Sequence, residues 1–277
     1  MSKRKKRGYR LLMLFGLVLL AITWVNYAFS DSGVSNSEPT PGCGPEATPG
    51  CGPDPEPELE PEPEPEPEPD PSPGDSADYE VTDEGTIHVK KGTFDGGGES
   101  YGNIGDGTQD EGQPAVFELE PGTNLVNCII VPPAGDGIHV HGDNTVENVI
   151  FEDVGEDAIS MRSNFEGGTV TIRNCSFSDA DDKVLQVNRE STWYLYDVTV
   201  NTAGKVMRQN GGTTFKLDVY IDGLKAYDIN EALVRSDSPS CTVHYTLNEE
   251  GEPDIDTDLP KDRWWKGELT AVPWNGE

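Results

Sequence analysis

The chain has 277 residues and a formal net charge of -31, because 51 acidic side chains face 20 basic ones. This excess argues against nucleic acid as a partner, since binding to a phosphate backbone requires a basic surface. If the partner is itself acidic, a cation must lie between the two, and a divalent metal ion is the first candidate.

The N-terminal segment has the features of a targeting signal. Residues 1–30 open with a run of lysines and arginines and continue with an apolar stretch, and Ala28 and Ser30 are small residues suited to a cleavage site. We predict a secretory signal peptide over residues 1–30. If it is not cut, residues 8–29 are just long enough to anchor the chain in a membrane. Both outcomes place the remainder outside the cytoplasm, secreted or held at the cell surface.

Residues 31–77 are predicted to be a disordered linker. Within them, Asp54 to Asp70 alternates almost strictly between proline and acidic residues, a pattern typical of an extended spacer that repels itself. Cys43 and Cys51 lie in two copies of the hexapeptide TPGCGP. In an oxidising compartment they can pair with each other or with another chain.

Short β-rich segments broken by Gly, Asn and Asp follow the linker, without a helical period. One unit recurs with spacings of 21, 26, 23 and 25 residues, and its copies begin at Asn127, Asn148, Asn174, Asp197 and Asp222. Such spacings are typical of solenoids, whose coils bury their apolar faces only by stacking. A β-sandwich or jelly roll requires frequent two-residue hairpin turns, which are scarce here. We therefore predict an all-β parallel β-helix, a single domain spanning residues 78–250.

The register of the repeats predicts which side chains point inward. An apolar residue follows at the same place in each unit, and these residues are Ile138, Ile159, Leu185, Met207 and Leu233. Cys128 and Cys175 share another position two coils apart, a separation of about 9.6 Å. That distance is too long for a disulfide, so both are predicted to be buried thiols. The five cysteines form no close Cys/His cluster, which argues against a zinc site.

Residues 251–277 are predicted to be a C-terminal tail. They contain Trp264, Trp265 and Trp274, which can stack on sugar rings but are expected instead to cap the open end of the solenoid.

The same register predicts a column of charges along one side of the solenoid, with stacked coils about 4.8 Å apart. Its members lie two residues before the inward positions and are Asp136, Asp157, Lys183, Lys205 and Glu231, with Glu156 beside Asp157 and Arg208 one coil below Lys183. Charged residues at solenoid turns are often only solvated. Three carboxylates on adjacent coils repel one another unless a cation binds between them, however, and hard oxygen ligands suit Ca²⁺.

Lys183 is the candidate general base of this column. A lysine beside a metal ion and a second lysine is expected to have a lowered pKa, which favours the neutral amine. Asp181 and Asp182 directly precede it and will raise the pKa of Lys183 if they face the same way.

Several motifs in this region resemble one enzyme family. GDGIHVHGDNTVENVIFEDVGEDA, DDKVLQVN and GKVMRQNGGTTFK, together with an upstream stretch from GTFDGGG to PGTNLVN, are similar to the core of the class III pectate lyases, polysaccharide lyase family 3. The resemblance extends from about Thr86 to Asp237. It implies a secreted, right-handed parallel β-helix, expected to act as a monomer, that cleaves polygalacturonate (pectate) by calcium-dependent β-elimination and leaves 4,5-unsaturated oligogalacturonates.

The resemblance also implies roles for individual residues. The calcium ligands of the family fall on Asp136, Glu156 and Asp157, and its proposed base falls on Lys183. Its substrate-binding or assisting cations fall on Lys205 and Arg208. Arg208 is a rival for the role of base, and Lys205 is a more distant one. Glu111 falls where the family has an acidic residue near the site.

Two other functions are compatible with a β-helix. A non-catalytic polysaccharide-binding surface module predicts aromatic stripes along a groove and no lysine beside a carboxylate cluster. A galacturonan hydrolase requires an acid and a base carboxylate placed around a water molecule, and Lys183 in the middle of the column fits that arrangement poorly.

Overall fold

The computed structural model describes residues 77–107, 112–155, 157–162, 164 and 167–276. The predicted signal segment, the linker with Cys43 and Cys51, Glu111 and Glu156 lie outside the described residues, so their predictions stay predictions. No helix in the described ranges is both long enough and apolar enough to cross a membrane.

The described region consists of short strands connected by turns. In chain order the strands are β1 (Ala77–Val81), β2 (Ile87–Asp95), β3 (Ser100–Ile104), β4 (Ala115–Leu119), β5 (Asn124–Ala134), β6 (Asp136–Val140), β7 (Asn144–Phe151), β8 (Asp157–Met161), β9 (Gly168–Arg173), β10 (Ser176–Val187), β11 (Ser191–Tyr196), β12 (Thr199–Gln209), β13 (Leu217–Asp222), β14 (Leu224–Ser236), β15 (Cys241–Tyr245), β16 (Ile255–Thr257), β17 (Trp265–Gly267) and β18 (Thr270–Pro273). One 3₁₀ turn, Lys261–Arg263, precedes β17.

These strands stack into three parallel ladders. Ladder 1 runs from the start of β2 through β4, β6 and β8 to the ends of β10, β12 and β14, and finishes at β17. Ladder 2 includes β9, β11, β13, β15 and β18. Ladder 3 includes β3, the end of β5 and the starts of β10, β12 and β14. The chain passes through ladders 3, 1 and 2 in each coil, which confirms the predicted parallel β-helix.

The predicted inward stack is confirmed over four coils. Ile138, Ile159, Leu185 and Met207 are successive register partners on ladder 1, and each is fully buried. The fifth member was wrong, because Val234 and not Leu233 pairs with Met207.

The error arises from a one-residue slip in the last repeat. Asp222 still belongs to β13, where it pairs with Tyr196, so the repeat begins at Gly223 rather than at Asp222. Gly223 adopts the left-handed conformation, with φ 74°. The same slip places Ala232 opposite Lys205, so Glu231 lies one residue outside the predicted column.

The backbone conformation explains why a polar residue opens these repeats. Asn127, Asn148, Asn174 and Asp197 all lie in the left-handed region, with φ between 49° and 55°, which asparagine and aspartate tolerate better than other residues with a Cβ. The asparagine amides also form a ladder. Asn148 donates to the Oδ1 of Asn127 at 2.9 Å, and Asn174 donates to the Oδ1 of Asn148 at 2.7 Å.

We expect Asn148→Ala to lower the free energy of unfolding by about 2 kcal/mol. Alanine carries the steric cost of the left-handed conformation and removes two amide hydrogen bonds, whereas Asn148→Gly removes the hydrogen bonds but adopts this conformation freely. The glycine variant should therefore be the more stable of the two in urea denaturation. If both variants lose the same free energy of unfolding, the left-handed backbone conformation of Asn148 contributes nothing to the difference in stability.

The cysteines of the described region are structural thiols. Cys128, Cys175 and Cys241 are free and buried, and Val149 pairs with Cys128 in the coil between the first two. Burial raises the pKa of Cys128 and of Cys175 to about 12 and the pKa of Cys241 to about 11. The prediction of buried thiols is thereby confirmed for Cys128 and Cys175.

The C-terminal segment forms a further coil. β16 and β17 pair in parallel with β14, and β18 pairs in parallel with β15. Trp264 is buried and donates its indole Nε1–H to the carbonyl of Leu259 at 2.8 Å, while Trp265 stacks on Tyr245. Trp274 packs edge-on against Tyr220. These tryptophans therefore pack against the protein itself.

Candidate active site

The bend between ladder 3 and ladder 1 carries the charged column. Asp157, Lys183 and Lys205 are successive register partners there, and Asp136 lies two residues before Ile138, which pairs with Ile159. The ladder register is interrupted at this bend, between Ala180 and Lys183 in β10. Asp136, Asp157 and Lys205 are all buried. Solvated turns do not explain such burial, because charged groups are seldom buried without partners.

Three of the predicted site residues meet in one cleft. Asp136, Asp157 and Lys183 line a cavity of about 180 Å³ together with Gly112, Ser160, Arg162, Gln186, Asn188 and Asn210. Apart from the glycine, every lining residue is polar or charged. The cavity can therefore hold ions and hydroxylated or anionic groups, but it offers nothing to an apolar ligand.

The electrostatic environment of Lys183 differs from the expectation. Its Nζ lies 3.0 Å from the Oδ1 of Asp157 and 3.3 Å from the Oδ2 of Asp182. Burial disfavours the charged ammonium, but attraction to Asp157 and Asp182 outweighs it and raises the pKa of Lys183 above its ordinary value. The predicted lowering was wrong, because Asp182 faces the lysine and Asp157 is its direct ion-pair partner.

Asp182 links the two lysines of the column. One of its oxygens lies near Lys183, and the other forms a short ion pair with the Nζ of Lys205. Burial opposes the charge of Asp182, but the hydrogen bond from Lys205 and the attraction to Lys183 lower its pKa. Lys205 also lies 3.2 Å from the Oε2 of Glu231. Asp182 directly precedes Lys183 in the sequence DDK, and this adjacency indicated that the two side chains could lie together.

The carboxylates fit a hard divalent cation. The Oδ1 of Asp136 is buried and has no hydrogen-bond partner among the described residues, and the buried Oδ1 of Asp157 forms an ion pair with Lys183 at 3.0 Å. Burial raises the pKa of Asp157, and the charge of Asp136 adds to this effect, while Lys183 and Ser160 offset it only in part. Two buried carboxylates in one polar cleft, one of them with an unpartnered oxygen, are suitable ligands for Ca²⁺. The described residues contain no complete group of three metal-binding side chains, and Glu156 lies outside them.

His139 is a site residue that the sequence analysis missed. Its Nε2 lies 2.6 Å from the Oδ2 of Asp136, and its Nδ1 lies 3.3 Å from the Oε1 of Glu118. Burial disfavours the imidazolium, but the hydrogen bonds to Asp136 and Glu118 outweigh it and raise the pKa of His139. The alternation in GDGIHV, with Ile138 and Val140 inward, was a signal that His139 projects outward beside the column.

Ser160 occupies the equivalent position in the next coil, where it is the register partner of His139. Its Oγ donates to the Oδ2 of Asp157 at 2.7 Å. In both coils one oxygen of the aspartate is held by an outward neighbour and the other is left facing the cleft. Such fixed orientation is typical of ligands that are supported by a second set of hydrogen bonds.

Arg208 lies outside this cleft. Its Nη2 donates to the Oδ2 of Asp237 at 2.7 Å, and its Nη1 lies 3.5 Å from the carbonyl oxygen of Arg235. In register it pairs with Gln186, which does line the cleft. The structure thus brings Asp136, Asp157 and Lys183 together, with Lys205 adjacent through Asp182. It leaves Arg208 one coil further along.

A larger hollow of about 600 Å³ lies elsewhere, at the C-terminal end of ladder 2. Asp222, Trp274 and five uncharged residues line it, and none of them is a lysine or an arginine. It therefore lacks the combination of acidic and basic groups found beside Lys183, and we regard the smaller cleft as the candidate active site.

Known proteins resemble this chain in sequence and in fold. Pectate lyase H of Emericella nidulans is 33% identical over 205 residues, which cover 66% of this chain and 78% of that protein. Probable pectate lyase E of Aspergillus clavatus is 40% identical over 153 residues, or 53% of this chain and 59% of that protein. The crystal structure of a pectate lyase from Pectobacterium carotovorum matches with a TM-score of 0.52 at 23% identity, covering 74% of this chain and 64% of that one. This last likeness shows the fold alone.

The chain spans little more than half the length of the Aspergillus clavatus protein. The family model described as pectate lyase matches residues 72–256, which include the whole charged column. Because that match covers more than half of the chain, and because the Emericella nidulans protein is covered over most of its length, the chain belongs to the pectate lyase family.

Proposed function

We propose that the protein is a secreted pectate lyase that cleaves de-esterified polygalacturonate by calcium-dependent β-elimination and leaves 4,5-unsaturated oligogalacturonates. The observation that carries this proposal is the buried pair Asp136 and Asp157 beside Lys183 in one polar cleft. The same proposal includes membership of the class III pectate lyases, which the motifs around these residues support. It also includes secretion, which the composition of residues 1–30 supports.

Asp136 and Asp157 would hold the calcium ion, with Glu156 as a further proposed ligand. Bound there, Ca²⁺ would neutralise the carboxylate of a galacturonate and the negative charge that builds on it during deprotonation at C5. His139 and Ser160 keep the two aspartates oriented through hydrogen bonds of 2.6 and 2.7 Å. An acidic protein can in this way bind an acidic polymer.

Lys183 is the proposed general base. Its neutral amine takes the proton from C5, the electron pair of the C5–H bond forms the C4=C5 double bond, and the glycosidic oxygen leaves C4 with the bonding pair. The raised pKa of Lys183 makes the neutral amine scarce at neutral pH. Because the population of this amine grows as the pH rises, activity is expected to increase toward alkaline pH.

Lys205 and Arg208 are proposed to assist this step. Lys205 lies next to Lys183 in the column and can contribute a positive charge to the cleft. Arg208 is anchored by Asp237, and its guanidinium can bind a uronate carboxylate through two hydrogen bonds. Of these three cations, Lys183 is the one that lines the cleft together with the two buried aspartates. Arg208 remains the rival for the role of base.

One assay separates the proposed activity from its alternatives. Incubation with polygalacturonate and calcium should produce ultraviolet absorbance from the new C=C bond, and this absorbance should vanish when calcium is chelated and return when it is added back. A galacturonan hydrolase would release reducing ends without the absorbance, and a binding module would produce neither signal. Either result would contradict the proposed function.

A further inference from the structure

An outward column on ladder 1 changes charge along the solenoid. Its members are register partners, one per coil, and from the N-terminal side they are His88, Glu118, His139, Ser160, Gln186, Arg208, Arg235 and Lys266. The column has a carboxylate, Glu118, on its N-terminal side, passes beside the cleft at Ser160 and Gln186, and ends in three consecutive cations. We call these three, Arg208, Arg235 and Lys266, the cation ladder.

Among the described residues, the cation ladder has fewer carboxylate partners than it has charges. Arg208 binds Asp237, whereas Arg235 and Lys266 both rely on Glu231. Glu231 also forms an ion pair with Lys205 at 3.2 Å, so one carboxylate serves three cations. Like charges on neighbouring strands, about 4.8 Å apart, destabilise each other. In a chain whose formal net charge is -31, an under-neutralised basic row of this kind suits an anionic ligand.

The last two members of the cation ladder are accessible to a ligand. The side chains of Arg235 and Lys266 are 33% and 51% exposed, against 13% for Arg208. Lys266 lies in β17, beyond the residues 72–256 that the family model matches. The C-terminal coil therefore adds to this face a cation that the matched region does not contain.

We infer that Arg235 and Lys266 extend the substrate groove toward the C-terminal coil and bind the carboxylates of a polyuronate chain on sugars beyond the one being cleaved. This inference rests on the proposed function. A polyuronate carries one carboxylate on each sugar, and the cation ladder presents one cation on each coil, so a chain lying along the solenoid axis meets a row of complementary charges.

The opposite end of the column supports a direction for the bound chain. Glu118 lies between His88 and His139 in register near this end, and Glu120 follows it in the same coil. Glu118 hydrogen-bonds with His139 and Glu120 with His88, and none of the described column members at this end is a lysine or an arginine. The longer part of the bound chain therefore lies on the side of Arg235 and Lys266. Substrates too short to reach these two residues lose the binding free energy that their charges contribute.

Two variants and one matched control test this inference. Lys266→Gln and the double variant Arg235→Gln/Lys266→Gln remove charge from the cation ladder, and Lys225→Gln makes the same change at an exposed position on ladder 3. We expect the KM for an octagalacturonate to rise about tenfold in the double variant, less in Lys266→Gln, and not in Lys225→Gln. The rise should be smaller for a trigalacturonate and should diminish at high salt.

Circular dichroism shows whether each variant folds, and calorimetric titration with octagalacturonate measures binding without catalysis. If the double variant matches Lys225→Gln with both oligomers, the cation ladder is only a solvated face and the inference is wrong. If the wild-type protein cleaves no polygalacturonate but binds the octamer more tightly than the double variant does, the proposed lyase activity fails while the extended binding surface stands.

Discussion

Lys183→Ala should abolish the ultraviolet-detected cleavage of polygalacturonate, lowering kcat by a factor of about 10³. The proposed base is removed, and the neighbouring lysine of the column, Lys205, is held in ion pairs with Asp182 and Glu231. The loss should appear in kcat, because Asp136 and Asp157 still line the cleft. Initial rates measured with a saturating substrate in the presence of calcium check this expectation.

Lys183→Arg is the matched control for stability. An arginine keeps a positive charge beside Asp157, whereas alanine leaves that buried carboxylate without its partner at 3.0 Å. The alanine variant should therefore unfold at a lower temperature than the arginine variant, while both lack the base and both are inactive. Cleavage at more than a tenth of the wild-type rate in either variant would remove Lys183 from the role of base, and Arg208 would become the candidate.

The repeat spacing was sufficient to predict the solenoid because stacked coils must place equivalent residues in register. That argument gave the inward stack from Ile138 to Met207 and the column from Asp136 to Lys205 correctly. It failed at the last repeat, where Gly223 takes the left-handed turn position that asparagine or aspartate takes elsewhere. A pattern based on Asn and Asp selects Asp222 there, and the slip carried over to Leu233 and Glu231.

The environment of the site was harder to predict than its position. The register of the repeats predicts which residues share a side of the solenoid. It does not predict which groups the end of a flexible side chain contacts. The sequence therefore left open whether Asp182 faces Lys183, and the structure shows that it contacts both lysines. His139 was missed because its neighbours Ile138 and Val140 identify it only as an outward residue. Its contact with Asp136 depends on the geometry of the bend.

Asp136→Asn should weaken calcium binding by a factor of about 100 or more, a larger effect than losing a residue that only supports a ligand. Asparagine keeps an oxygen for the hydrogen bond with His139, which the aspartate accepts at 2.6 Å, but it removes the negative charge that faces the cleft. Calorimetric titration with calcium measures this loss without reference to catalysis.

Asp153→Asn provides the control. Asp153 is an exposed carboxylate between β7 and β8, and it undergoes the same chemical change. Calcium should raise the melting temperature of the wild-type protein and of Asp153→Asn, since a ligand that binds the folded state stabilises it, but it should leave Asp136→Asn almost unchanged. If Asp136 has only a structural role, a different pattern is expected. Asp136→Asn is then less stable than the wild-type protein without calcium, and it still gains stability when calcium is added. Because the Oδ1 of Asp136 has no partner among the described residues, we expect the first pattern. Observation of the second would exclude Asp136 as a calcium ligand.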